Sequence, residues 1–352
     1  MAIIINLFSQ AFIDGMLTVL KPPTTFLRDR FWPGGSELSE IDSIVIDIEV
    51  EGQKMAAFVT SDQDPIMVGR TGYSSNMVKT PKVLMISELK PRDFMDTRQP
   101  GQVGITNTSD PKFRQRCENE LGKILKRFKD MRTRMEEWMC AQALLFGKWT
   151  VTLPDGKKYS IDFKRPSSHT YSLTGAEKWD APTTADPAGI IDTKSQLIVR
   201  GSGIQPNTIV MNKTTKQLMF ACTKFQAMFN SPRNLYRGVV DTSQNMMQAG
   251  AKKFAEIDGL EYFEYDSVYE DFDAATKLYI PDNYVIVGGA HLGNKKHYGP
   301  IEDFNALPDV RREEFSNNDI TKKPPSKWWI SYESHPLMAQ HKPECALSLK
   351  VA

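Results

Sequence analysis

Apolar or cysteine side chains recur at positions 113, 117, 121, 124, 128, 131, 135 and 138, and the stripe ends at Leu145. Its steps run in fours and threes, the repeat of one helical face, sustained for about ten turns. Ser109-Asp110-Pro111 supplies an N-cap candidate and a proline suited to the first turn. Gly147 stops the run. The spacing predicts one helix over 111–146, which at roughly 1.5 Å per residue extends about 54 Å. A rod of that length is longer than most globular helices, so the rest of the chain has to be built around it. Ten basic residues fall between Lys112 and Lys148 and six acidic ones between Asp110 and Glu137. That balance reads first as a solvated helix face, and second as a contact for a polyanion.

The flanking segments are of a different kind. IDSIVIDIEVEG alternates, with Ile44, Ile46, Ile48 and Val50 on one face and Ser43, Asp47 and Glu49 on the other. That pattern is a strand with one wet side. Glu51-Gly52 is expected to turn it into a partner, KMAAFVT, opening a long hairpin. Its middle, DPIMVGRTGYSSNMVKTPKV, is a projecting loop. FLRDRFWPGG reads as a short aromatic-basic helix, and KWTVTLPDGKKYSIDF as two strands turning at Pro154-Asp155-Gly156. PNTIVMN is expected as a short buried strand. KTTKQLMFACTKFQAMF is expected as a helix with Leu218, Cys222, Phe225 and Phe229 inward, and a second helix is expected around 244–256. The acidic aromatic run GLEYFEYDSVYEDFD reads as a solvent-facing hairpin rather than a catalytic or cation-binding cluster.

Composition narrows the function. The formal net charge of +1 in 352 residues removes any bulk electrostatic case for nucleic acid or an anionic membrane. Four scattered cysteines, Cys117, Cys140, Cys222 and Cys345, form no CxxC pair and are expected as reduced thiols. His291 and His297 stand six apart with neither Glu nor Cys beside them, poor spacing for zinc, so no metal is expected. The opening MAIIINLFSQAFIDGMLTVLKPP lacks the basic leader of a signal peptide, and Asn6, Gln10 and Asp14 interrupt it too often for a membrane span. Leu7, Ala11, Met16 and Leu17 instead suit an amphipathic arm, which in an oligomer often lies on a neighbour. VIVGGAHLGNKKH has the look of a phosphate loop, but Asn294 and Lys295 stand where a Walker sequence needs lysine and a hydroxyl. No G-x-S-x-G or H-E-x-x-H is present. Neither a catalytic residue nor a cofactor is assigned.

Taken in order, several segments resemble the major capsid protein E family of tailed bacteriophages, the group of the phage lambda shell protein. They are FLRDRFWPG, the R-x-G-rich loop DPIMVGRTGYSSNMVKTPKV, the helix ENELGKILKRFKDMRTRMEEWMCAQALLFGKWTV, LYIPDNYVIVGGAHLG with YGPIEDF, and SKWWISYESHPLMAQHKPECALSLKVA. The resemblance implies an α+β fold of the Hong Kong 97 capsid type. Its divisions would be an N-terminal arm (1–40), an extended hairpin loop with its base (41–98) and a peripheral domain carrying the spine helix (99–200). An axial domain (201–326) and C-terminal strands returning to the peripheral domain (327–352) complete it.

The function implied is that of a major capsid protein self-assembling into an icosahedral head of pentamers and hexamers around double-stranded DNA. The shell would be assembled in the bacterial cytoplasm with scaffolding and portal proteins, end in the virion, and expand on maturation. A separate decoration protein is expected in preference to covalent cross-links through Lys79 or Lys82. Arg70, Tyr73, Lys79 and Lys82, placed near the loop tip, are the candidate subunit contacts. A non-viral compartment shell of the same fold and a cytosolic enzyme with a dispersed site are the rival readings.

Overall fold

A computed structural model describes residues 9–50, 72–90, 111–152, 156, 158–230, 238–239, 247–248, 250–271, 275–289, 293–321 and 327–352. Its first helices are α1 (Gln10–Val19), α2 (Leu27–Phe31) and the rod expected from the stripe, α3 (Pro111–Phe146). Gly147 ends α3 in the left-handed region at φ 66°, where a Cβ would sit 2.7 Å from that of Arg165. Only glycine suits both conditions. Arg165 then donates to the last carbonyls, Leu144 O and Leu145 O, each at 2.7 Å. The helix end is thus satisfied in a crowded place.

The stripe is buried as expected at Cys117, Leu121 and Phe128, joined by Leu125. Met131 departs from it and is 42% exposed. A stripe alternating three and four has a period near 3.5, and a straight helix drifts from it by about 20° per heptad. After two heptads the inward positions are therefore Arg132, Thr133, Glu136 and Glu137, all buried. The reading of the basic residues as a solvated face holds for Lys123, Lys126, Arg127 and Arg134 and is corrected for Lys129 and Arg132.

α1 packs Ile13 and Leu17 against Leu121, Leu125 and Phe128 of α3, with Ile330 and Tyr332 beside them. Gln10 Nε2 donates to Ser316 O at 2.7 Å, and Lys129 Nζ to Leu17 O at 2.9 Å. This corrects the expectation that α1 lies on a neighbour: its own chain supplies the surface.

An eight-stranded sheet forms the second layer. Its order is Met247–Gln248, Ala251–Ile257, Leu260–Tyr265, Thr208–Met211, Tyr284–Gly288, Leu347–Lys350, Thr170–Ser172, with Gly238–Val239 also on Ala251–Ile257. The expected helix at 244–256 is therefore wrong, because Ala251–Ile257 pairs antiparallel with Leu260–Tyr265. Asp258 and Gly259 both take positive φ between them, the two-residue turn that an Asp-Gly dipeptide favours. The acidic run is corrected as well. Leu260–Tyr265 is an interior strand with Tyr262, Phe263 and Tyr265 buried. Glu261 is paired by Arg30 and Lys253, and Glu264 by Lys216. Thr208–Met211 is wholly buried as expected, whereas the single helix after it breaks at Cys222 into Lys213–Ala221 and Thr223–Asn230. Thr215, Met219, Cys222 and Phe225 are buried among its described residues, Leu218 is half-buried, and the Phe229 side chain lies outside the described ones.

A three-stranded sheet, Phe315–Thr321, Lys327–Ser334 and Val83–Leu89, lies over α3. The hairpin strand Ser43–Val50 pairs with Gly72–Lys79, from Ser43 opposite Lys79 to Val50 opposite Gly72. Its partner is therefore drawn from the stretch read as a loop; KMAAFVT lies outside the described residues. Of the terminal segments, Lys327–Ser334 joins the sheet over α3 and Leu347–Lys350 enters the eight-stranded sheet.

Leu125→Ala should lower subunit stability by about 2–5 kcal/mol, as for other buried leucines. Met131→Ala should change it by no more than about 0.5 kcal/mol. Urea unfolding of unassembled protein measures both, and equal losses would contradict the drift of the buried face.

Candidate assembly surfaces and the charged core behind them

The hairpin leaves the body at a fixed root. Thr80 N and Oγ1 both donate to Asp42 O, at 2.9 and 3.1 Å, and the Tyr159 hydroxyl donates to Lys79 O. Ile44 and Val78, a cross-strand pair, are buried in the main core. The next pair, Val45 and Met77, faces the other way and is 48% and 71% exposed. At this end of the ribbon one apolar cross-strand pair is covered and the next is bare. Leu84 and Ile86, just beyond the root, are also exposed, on the side of Val83–Leu89 turned away from α3.

The four candidate contacts divide. Arg70 lies outside the described residues. Tyr73 stands in the strand Gly72–Lys79, opposite Glu49. Lys79 and Lys82 lie at the root rather than near the tip, because the register sets Lys79 opposite Ser43, the first residue of the hairpin. Each is engaged by its own chain: Lys79 Nζ is 2.9 Å from Asp42 Oδ2, and Lys82 Nζ is 2.8 Å from Glu302 Oε2 and 3.2 Å from Glu333 Oε1. The hydrogen bond from Lys82 holds the Glu302 carboxyl below the usual carboxylate range. The exposed apolar pairs were not singled out from the sequence. Alternation along Ser43–Val50 is their one local signal, and it does not say which face is covered.

Behind the root lies a buried polar core. Glu137 accepts from the N–H groups of Phe26, Leu27 and Arg28 at 3.1, 2.8 and 2.8 Å, and from the Tyr265 hydroxyl at 2.7 Å. Burial pushes this carboxyl up, against the pull of those four donors. Glu136 accepts from Arg28 Nη1 at 2.7 Å and Tyr298 OH at 2.9 Å, with Arg132 Nε at 3.3 Å. Lys129 and Arg132 reach Glu314 at 2.9 and 3.4 Å. Every charge on this face of α3 thus meets an opposite charge or a set of donors, the condition for burying it.

Comparison with known proteins decides the family: the description "Phage major capsid protein E" matches residues 9–351. The chain belongs to that family. The P21 prophage-derived major head protein of Escherichia coli O6:H1 strain CFT073 is 23% identical over 221 residues, 60% of this chain and 61% of that protein. The match therefore spans about three fifths of that relative's length. The major capsid protein of Escherichia phage lambda is 22% identical over 257 residues, 70% of this chain and 71% of that one. A crystal structure of a prophage protein from E. coli CFT073, described as a capsid protein, superposes with a TM-score of 0.68 at 16% identity, covering 98% of this chain and 99% of that one. The α+β fold is that of phage capsid proteins, the Hong Kong 97 type. No helix among the described residues is long and apolar enough to cross a membrane.

Two outcomes test this geometry. Glu137→Ala strands three backbone donors and a tyrosine hydroxyl, and should destabilise the subunit by about 3 kcal/mol or more in urea; a loss below about 1 kcal/mol would contradict the network. Lys82→Met should lower the melting temperature at neutral pH. The depressed Glu302 contributes stability that is present above its unfolded value and lost as pH falls through the folded one. The gap between variant and parent should therefore close below about pH 4. A gap that stays constant with pH would show that the pair adds nothing.

Proposed function

We propose that this protein is the major capsid protein of a tailed phage, and that copies of it tile into the icosahedral head shell. The observation that carries the reading is the hairpin root, where Ile44 and Val78 are buried while Val45 and Met77, one residue along, stand bare. A lone two-stranded ribbon is marginal in water, and its free face gains most by lying on another surface. The neighbouring subunit is that surface in our reading. Leu84 and Ile86 offer a second exposed patch, on a different strand, for such a partner to meet.

The finer parts follow the same reasoning. The five divisions of the chain (arm, extended loop, peripheral domain, axial domain, C-terminal strands) are retained as its working anatomy, together with Arg70, Tyr73, Lys79 and Lys82 as subunit contacts. Lys79 and Lys82 are held by acidic residues of their own chain, which favours a positioning role for them over covalent linkage. Double-stranded DNA is enclosed without base-specific contact, in keeping with a net charge of +1, and the exposed basic side of α3 at Lys126 and Arg127 is the face suited to it. Scaffolding and portal proteins take part in assembly in the host cytoplasm, a decoration protein joins the finished shell, and the protein acts by assembly rather than by catalysis.

Negative-stain microscopy of purified protein tests the reading. The parent should form closed shells. Val45→Glu with Met77→Glu should abolish them while leaving the subunit's melting temperature within a few degrees, and deletion of 66–80, which also removes the root residues Val78 and Thr80, should abolish them too. Intact shells from either variant would end it.

A further inference from the structure

Three segments far apart in sequence bring two imidazoles and a carboxylate together next to the hairpin root. Ser36–Leu38, from which the chain runs on into the hairpin at Ser43, lies parallel to Lys295–Tyr298 with Glu37 opposite His297. Pro336–Ala339 pairs on the other side of Lys295–Tyr298, and the chain reaches His341 two residues later. The two rings meet head-on, with His297 Nε2 and His341 Nε2 2.9 Å apart and ring centroids 5.2 Å apart. His297 Nδ1 is 3.3 Å from Glu37 Oε2. A carboxylate only accepts, so Nδ1 of His297 carries its proton, and its Nε2 accepts from the Nε2–H of His341. One proton fits between the rings; two do not.

We propose that this pair is an acid-released latch: a second proton between the facing Nε2 atoms breaks their bond and turns His341 out to solvent. A first added proton goes to His341 Nδ1 and leaves the bond in place, now charge-assisted. The next goes to His297 Nε2, where it meets the N–H of His341 at 2.9 Å and sets two positive rings against each other. His297 is 5% exposed and is held by Glu37, whereas His341 is half-buried, so His341 is the ring that leaves. The turn after Ala339 is then untied from the strand on which the hairpin's entry segment lies. This is a property of the single subunit and stands apart from the assembly reading.

The charged and titratable groups about His297 are Glu37 on Ser36–Leu38, Lys295 on its own strand and His341 on the turn after Pro336–Ala339. Glu37 favours a proton on His297, and Lys295 and His341 oppose it. Lys295 also donates to Glu37 and holds that carboxyl below the usual carboxylate range. Burial first, and His341 after it, push His297 down from 6.5 to about 4. The unfolded chain therefore takes the proton earlier as pH falls. Stability from the neutral ring is whole above about 6.5 and is lost as pH falls through about 4. Local spacing sets His297 beside His291, which lies outside the described residues; the partner the fold supplies is 44 positions away.

The test compares untagged, unassembled full-length protein with His341→Gln, following the imidazole nitrogens by NMR and the melting temperature as pH falls from 6.5 to 4. Glutamine offers an N–H to neutral His297 and, turned over, a carbonyl to the protonated ring, so the variant keeps a bond in either state. Near neutral pH the two melting temperatures should agree within a few degrees. Across the window the parent should lose several degrees more than the variant. His169 is buried too and pushed down by burial, but it is common to both proteins and cancels in the comparison. His297 should titrate near 4 in the parent and at a clearly higher pH in the variant. The same His297 midpoint in both, or melting temperatures that fall in parallel, would overturn the latch. Should His341→Gln fail to fold, the parent's midpoint decides, near 4 in support and near 6.5 against.

Discussion

Placing Glu136 and Glu137 on the inner face of α3 removes two carboxylates from water, a loss of several kcal/mol per ion unless the surroundings replace the lost hydration. The surroundings here are specific groups. Glu137 takes the first N–H groups of α2 and a tyrosine hydroxyl from the large sheet; Glu136 takes an arginine from α2 and a tyrosine from the strand Lys295–Tyr298. Apolar contact is non-directional, so a leucine-only interface would let the arm slide along the rod. A carboxylate with four donors does not tolerate sliding. The network therefore fixes how the arm, the rod and the sheet meet, whatever its net effect on stability.

That constraint explains which parts of the fold could be read from the sequence. Periodicity is local, so α3, the strands Lys148–Thr152 and Lys158–Asp162, and the buried Thr208–Met211 were legible. The error at 244–256 had a local remedy. AKKFAEI is rich in helix formers, but Asp258-Gly259 beside it is a hairpin signal, and the pairing it permits overrides propensity. The error over the acidic strand had none. Glu261 and Glu264 look solvated in the sequence because their partners Arg30, Lys253 and Lys216 are assembled only by the fold.

The candidate surfaces were legible to the same extent and for the same reason. Alternation revealed a ribbon with two unlike faces. Register, which is set between residues 43 and 79, decided that Ile44 and Val78 face the core and that the two lysines sit at the root. A shift of one residue would turn Ile44 out and Val45 in.

Anchoring a ribbon at its root has a consequence for assembly under the proposed function. With Thr80 bonded twice to Asp42 O and Tyr159 bonded to Lys79 O, the root is held to the body and sets the direction in which the hairpin departs. Its bare pair, Val45 and Met77, then meets a patch on the next subunit that differs from itself, such as Leu84 and Ile86. Contact between two different patches is heterologous, and repeating it about an axis yields a ring when the rotation closes. Fivefold and sixfold rings from one sequence need that rotation to differ by about 12°, from 72° to 60°. Under that reading the fixed root leaves the difference of about 12° to be taken up at the contact between subunits, while the buried charges behind the root remain paired.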